Sequence, residues 1–142
     1  MSDDTERSVE LARTGPSRYR ATNVRGTTLE IGDGSTADFT PVELLLVALA
    51  GCTAITVDPL VSRRAEATAF EVHTRADKVR DEQGSHLVDI RMTFDVAFPE
   101  GEGGEAARAL LPDAIRKAEE RLCTVSRTLA LGATAETQIN DV

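Results

Sequence analysis

The chain has no tryptophan, and only 4 % of its 142 residues are aromatic. Any core must therefore be aliphatic, built from Leu, Val, Ile and Ala. Two cysteines are too few for a disulfide framework, and in a reducing compartment such a pair reads as buried thiols or as a redox couple. The two histidines stand at unrelated positions and no Cys-x-x-Cys occurs, so no zinc pattern is recognised and no metal is expected. Positive charge is also short: 16 Lys and Arg face 24 Asp and Glu, net −8, with no basic block. That balance argues against nucleic acid or an anionic membrane as a partner. The opening MSDDTERS lacks an apolar segment, so no signal peptide is read and a cytoplasmic location is expected. No uncharged run reaches the ~20 residues of a membrane span.

What the chain does have is one long uncharged run, Leu44–Val57 (LLLVALAGCTAITV), with Cys52 inside it. Its start carries a capping box: Thr40 as N-cap, Pro41 at the first helical position and Glu43 at the third. Pro59 is expected to end or kink the helix near Asp58. The run is apolar on every face, so the helix should be buried on all sides. For Cys52 the residues alone leave two readings open, inert packing or a thiol delivered into a pocket.

Around this helix the remaining segments alternate. Residues 1–7 are polar and expected to fray, leaving a single domain over 8–142. Ser8–Ala12 and Arg18–Val24 form a candidate hairpin about Thr14-Gly15-Pro16-Ser17, and Thr27–Ile31 alternates like a third strand. Thr68–Val79 and His86–Phe98 make a long antiparallel hairpin, with Val88, Ile90, Met92, Phe94 and Val96 sharing a face. His73 and His86 should point outward or sit at its ends. Glu105–Leu122 has helical period, with Leu110, Ala114, Ala118 and Leu122 four apart, and Pro112 should kink it or mark a fresh start. Cys123 follows, then a helical piece over Thr124–Leu131 stopped by Gly132 and a last strand over Ala135–Ile139. The expected class is α+β, antiparallel sheets wrapped around a buried central helix. One small sheet covers only part of a helix that is apolar all round, so a homodimer is expected.

The run PVELLLVALAGCTAITV after Thr40, together with AEERLCTVSRTL over Ala118–Leu129, resembles the OsmC/Ohr family of osmotically induced and organic hydroperoxide resistance proteins. The similarity covers nearly the whole chain past residue 8, and its departures from the peroxide-reducing members point to an OsmC-like branch. It implies an intertwined homodimer and thiol-dependent reduction of organic hydroperoxides, with Cys52 as the peroxidatic and Cys123 as the resolving residue. It implies no cofactor or metal, only an external dithiol or thiol reductant. Peroxidatic thiolates must be ionised near neutral pH, against an ordinary thiol pKa of about 8.5 and the upward push of apolar burial. The resemblance therefore calls for an arginine from the early strands, where Arg13, Arg18, Arg20 and Arg25 all lie. Arg18 and Arg20 share a strand face. Family peroxidases also carry a glutamate directly after the helix-starting proline. Here that place is Val42, and Glu43 comes one position later, turned by roughly 100°. Glu43 thus reads as a cap first. The displaced carboxylate and the unassigned arginine keep an alternative in view, a non-enzymatic dimer acting as a thiol sensor or small-molecule binding module.

Overall fold

The computed structural model describes residues 5–141. Of the segment expected to fray, residues 1–4 lie outside the described residues, and Thr5–Arg7 carry no helix or strand. The chain divides into two compact units, Met1–Leu45 and Leu46–Val142. Among the described residues the class is α+β, with antiparallel sheets and three α-helices.

In the first unit, β1 (Val9–Gly15), β2 (Arg18–Asn23) and β3 (Thr28–Ile31) form a three-stranded antiparallel sheet in the order β1-β2-β3. The strands run to the edge of the Pro16-Ser17 turn, where Ser17 adopts a φ of 55°. The hairpin was expected; its tighter turn depends on that left-handed residue. Beyond β3, the Asp33 carboxylate accepts hydrogen bonds from the N–H and hydroxyl of Ser35, which fixes the loop leading to the helix.

Helix α1 (Pro41–Ser62) starts as its sequence dictates. The Thr40 N–H donates to Glu43 Oε1 at 2.8 Å, and the Glu43 N–H donates to Thr40 Oγ1 at 3.2 Å. The capping box closes both ways. Two other expectations are narrowed here. Pro59 does not end the helix, which continues to Ser62. The ring deprives the Ile55 carbonyl of its donor, but Ile55 is 76 % exposed, so water can take that bond. Nor is α1 buried on all sides within one chain: Leu49, Thr53, Val57 and Val61 form a single buried stripe, while Val47 is 51 % exposed. At 22 residues α1 is long and apolar enough, by length and composition alone, to cross a membrane. Val57 and Val61 instead belong to the protein's own core.

That core lies in the second unit, where Val57 and Val61 pack with Phe98, Ala107, Ala114 and Ala118. Burying each valine contributes roughly 1.5–3 kcal/mol. Strands β4 (Ala69–Asp81) and β5 (Gly84–Ala97) form the long hairpin. Phe70, Val72 and Thr74 stand opposite Val96, Phe94 and Met92, all half-buried. The expected single face does not extend the full length of β5. A register shift near Arg75–Asp77, with Asp89 at a φ of 51°, inserts an extra residue and leaves Ile90 exposed.

Helix α2 (Glu102–Lys117) runs through Pro112, which does not mark a fresh start. Its first turn depends on two glycines, because a Cβ on Gly104 would stand 1.7 Å from the Pro99 carbonyl oxygen and one on Gly103 2.7 Å from that of Arg64. A π-helical turn, Ala118–Leu122, follows, then α3 (Thr124–Leu131), closed by Gly132 in the left-handed conformation. The strand expected over Ala135–Ile139 is absent; that stretch is irregular. Its residues alternate weakly, and strand structure needs a neighbour to bond with.

Candidate functional site

The π turn decides which side chain reaches the core. Continued α-helical spacing would follow Ala114 and Ala118 with Leu122. Instead the Cys123 N–H donates to the Ala118 carbonyl at 2.7 Å, a five-residue step. Leu122 is consequently 50 % exposed and Cys123 fully buried. π turns of this kind recur at functional sites. The same residue then becomes the N-cap of α3, and its Sγ accepts a hydrogen bond from the Ser126 N–H at 3.4 Å.

Facing it from α1 are the consecutive residues Cys52 and Thr53. Both thiols are free, and each acts on the ionisation of the other. The Thr53 hydroxyl is fully buried; it donates to the Leu49 carbonyl at 2.9 Å and has Cys123 Sγ at 3.8 Å. The two thiols are driven in opposite directions. Burial pushes the Cys52 thiol up; the Val125 and Thr124 N–H groups oppose this, while the interaction with Cys123 and its charge reinforce it. Burial also pushes Cys123 up, but hydrogen bonds from Cys52, the Ser126 N–H, the Thr53 hydroxyl and the Val125 N–H together outweigh it, and its pKa falls.

The remaining expected site residues lie in the first unit, each with a local partner. Arg18 Nη2 pairs with Asp38 Oδ2 at 3.2 Å, and Arg20 Nε with Glu30 Oε2 at 2.6 Å. Arg20 and Glu30 are also direct cross-strand neighbours. Glu43 is spent on the cap.

Residues 32–138 match the family described as OsmC-like protein. The chain belongs to that family. An uncharacterised protein of Mycobacterium tuberculosis is 33 % identical over 134 residues, covering 93 % of this chain and 95 % of that one. Among solved structures, an OsmC-like protein of unknown function from Vibrio cholerae superposes with a TM-score of 0.74 at 11 % identity, covering 87 % of this chain and 93 % of that chain. The organic hydroperoxide resistance protein OhrB of Bacillus subtilis gives 0.54 at 16 % identity, covering 85 % of this chain and 89 % of that one. At such identities the structural likeness establishes the fold alone.

In this OsmC-like chain, sequence reasoning passed over Thr53 and Ser126. A signal for each was present. Thr53 directly follows Cys52 and stands four residues after Leu49, the spacing at which a helical hydroxyl meets a backbone carbonyl. Ser126 lies three residues after Cys123 at the head of a helical segment, where an N-cap side chain collects a backbone donor.

Proposed function

We propose that the protein is a two-cysteine, thiol-dependent peroxidase for organic hydroperoxides, acting in the cytoplasm as a homodimer. The observation that carries this reading is the pair of free thiols, half-buried Cys52 and buried Cys123, each acting on the ionisation of the other, in a family whose solved relatives include proteins named for hydroperoxide resistance. Cys52 is the more accessible of the two and is the residue that meets peroxide. Its sulfur attacks the terminal peroxide oxygen, the O–O bond breaks, and an alcohol leaves. The resulting sulfenic acid condenses with Cys123, releasing water and forming a disulfide. This needs the two Cα atoms within ~4.4–6.8 Å. An external dithiol reduces the bridge by exchange. The exposed Val47 and Ile55 on an otherwise apolar helix support a second copy of the chain as their cover.

The second reading, a thiol sensor or small-molecule binding dimer, is favoured by one specific feature. Arg18 and Arg20 are held by carboxylates and Glu43 by the cap, so none is free to serve catalysis in this arrangement. Thiol titration before and after one equivalent of cumene hydroperoxide, with non-reducing mass spectrometry, separates the two. Loss of both thiols within seconds, with a Cys52–Cys123 bridge inside one chain, is the expected result. Survival of both thiols would overturn the peroxidase reading.

A further inference from the structure

We propose that Thr53 is the positioning residue of the resolving step: its buried hydroxyl holds the Cys123 sulfur against α1, one residue on from Cys52, so that the bridge closes before the sulfenic acid is oxidised further. The proposal rests on the two-cysteine reading above and adds to it a residue that does not itself react.

Among the described residues Thr53 is the one buried polar side chain, fully buried in a stripe whose other members, Leu49, Val57 and Val61, are apolar. A hydroxyl in such a place costs stability unless it is bonded, and a valine would fill the same shape. Its oxygen stands 3.8 Å from Cys123 Sγ, a contact between residues 70 positions apart in the chain. That oxygen is itself anchored, because the hydroxyl donates to the Leu49 carbonyl at 2.9 Å and a β-branched side chain in a helix has little freedom at χ1. From the other side the Ser126 N–H donates to the same sulfur at 3.4 Å. A cysteine sulfur turns about χ1 alone, among a few staggered positions. The two contacts, one from α1 and one from α3, select one of them. Thr56 supplies the contrast: it makes the same backward bond, to the Cys52 carbonyl at 2.8 Å, but is only partly buried.

Chemically the steps balance with Cys52 attacking as the thiolate. Its sulfur bonds to the terminal peroxide oxygen, the O–O bond breaks, and the alkoxide takes a proton from water and leaves as the alcohol. Cys123, deprotonated in turn, attacks the sulfenic sulfur. The S–S bond forms, the S–O bond breaks, and the departing hydroxide takes up the Cys123 proton as water. Across both steps the two sulfurs give up two electrons and the peroxide takes them. Thr53 exchanges no proton in either step. A Cys123 sulfur free to turn away would prolong the sulfenic acid, which a second peroxide carries on to sulfinic acid.

The test separates oxidation of Cys52 from closure of the bridge. Reduced protein is mixed with cumene hydroperoxide, with dimedone present to trap sulfenic acid, and quenched samples are read by mass spectrometry. Thr53→Val should oxidise Cys52 at the wild-type rate yet close the bridge about tenfold more slowly, the effect of one lost hydrogen bond on a barrier. Dimedone adduct and sulfinic acid at Cys52 should take the place of disulfide. Thr53→Ser and Thr56→Val should both close at the wild-type rate. A thiolate titration of each variant, by far-ultraviolet absorbance against pH, gives the ionised fraction, so that closure is compared at equal thiolate. Wild-type closure in Thr53→Val, equal slowing of both steps, or a Thr53→Ser as slow as Thr53→Val would overturn the proposal. If Thr53→Val fails to fold, Thr53→Ala takes its place with the same expectation. Closure is also timed without peroxide, by loading Cys52 with dithiobisnitrobenzoate and following the coloured thiolate that Cys123 expels. A protein that ignores peroxide but shows the Thr53 effect in this second assay loses the peroxidase reading and keeps the proposal. Bridge formation under peroxide with no Thr53 effect keeps that reading and loses the proposal, and no expulsion by wild-type Cys123 would overturn both.

Discussion

Cys52 and Cys123 are the same residue in two kinds of helical position, and they acquire opposite acidities. Cys123 is the more deeply buried, yet its pKa falls while that of Cys52 rises. Burial alone would order them the other way. The difference comes first from the interaction between the two thiols, which lowers Cys123 and raises Cys52, and then from the Ser126 N–H and the Thr53 hydroxyl, which act on Cys123 alone. A helix start offers free N–H groups, and a helix interior has already used its own. The lesson is local: a thiol moved to a helix N-cap gains acidity even in an apolar setting, provided the surrounding hydroxyl and thiol groups turn toward it.

The largest expected effect concerns how Cys123 reaches its place. Inserting one alanine between Glu119 and Glu120 should carry Cys123 off the Ala114–Ala118 face and abolish disulfide formation under mild oxidant. Deleting Glu120 should leave an ordinary helical turn with Cys123 four residues after Ala118, so the bridge should still form. Non-reducing mass spectrometry reads both. An insertion variant that bridges normally would break the contrast between the two cysteines, because the π turn would then not be what places one of them.

A smaller effect sharpens the contrast by pH. For Cys123, depressed in the folded state, the stabilisation is complete above the unfolded thiol value of about 8.5 and is lost as pH falls through its folded value. For Cys52, raised in the folded state, the stabilisation is complete below that unfolded value and is lost as pH rises through the folded one. Urea unfolding of the reduced protein, measured against a Cys52→Ala/Cys123→Ala double variant, should therefore show a thiol-dependent stability maximum near pH ~8.5. Cys123→Ala should keep only the alkaline fall. A flat difference would mean that the two thiols ionise alike. The pair titrates jointly, so the two steps belong to it as a unit.

The smallest effect separates the cap from the chemistry. Thr40→Ala should cost about 1 kcal/mol in unfolding free energy, because it removes the hydroxyl that holds the Glu43 N–H. The thiolate titration should stay where it is. A shift in that titration would show that the α1 start tunes the thiols as well as anchoring the helix.

Local rules carried much of the fold. The capping box, both hairpins and the Gly132 stop were legible, because each is a contract among residues a few positions apart. The failures share a cause as well. Pro59 read as an end or a kink and Pro112 as a kink or a fresh start, but α1 and α2 both run on past them. The periodic stripe Leu110–Ala114–Ala118–Leu122 read as one face, but a five-residue hydrogen bond after Ala118 exchanges Leu122 for Cys123. The closing strand at Ala135–Ile139 had a plausible pattern and, among the described residues, no partner strand.

The sequence by itself determined the aliphatic character of the core, the start of α1, the class of the fold and, through its resemblance, the two cysteines worth watching. Only the tertiary structure decided that Thr53 and Ser126 converge on Cys123, that Arg18 and Arg20 are already paired, and which thiol is pushed up and which down. Those outcomes depend on donors brought together from distant segments. A linear pattern specifies which donors exist, but packing specifies which sulfur they face.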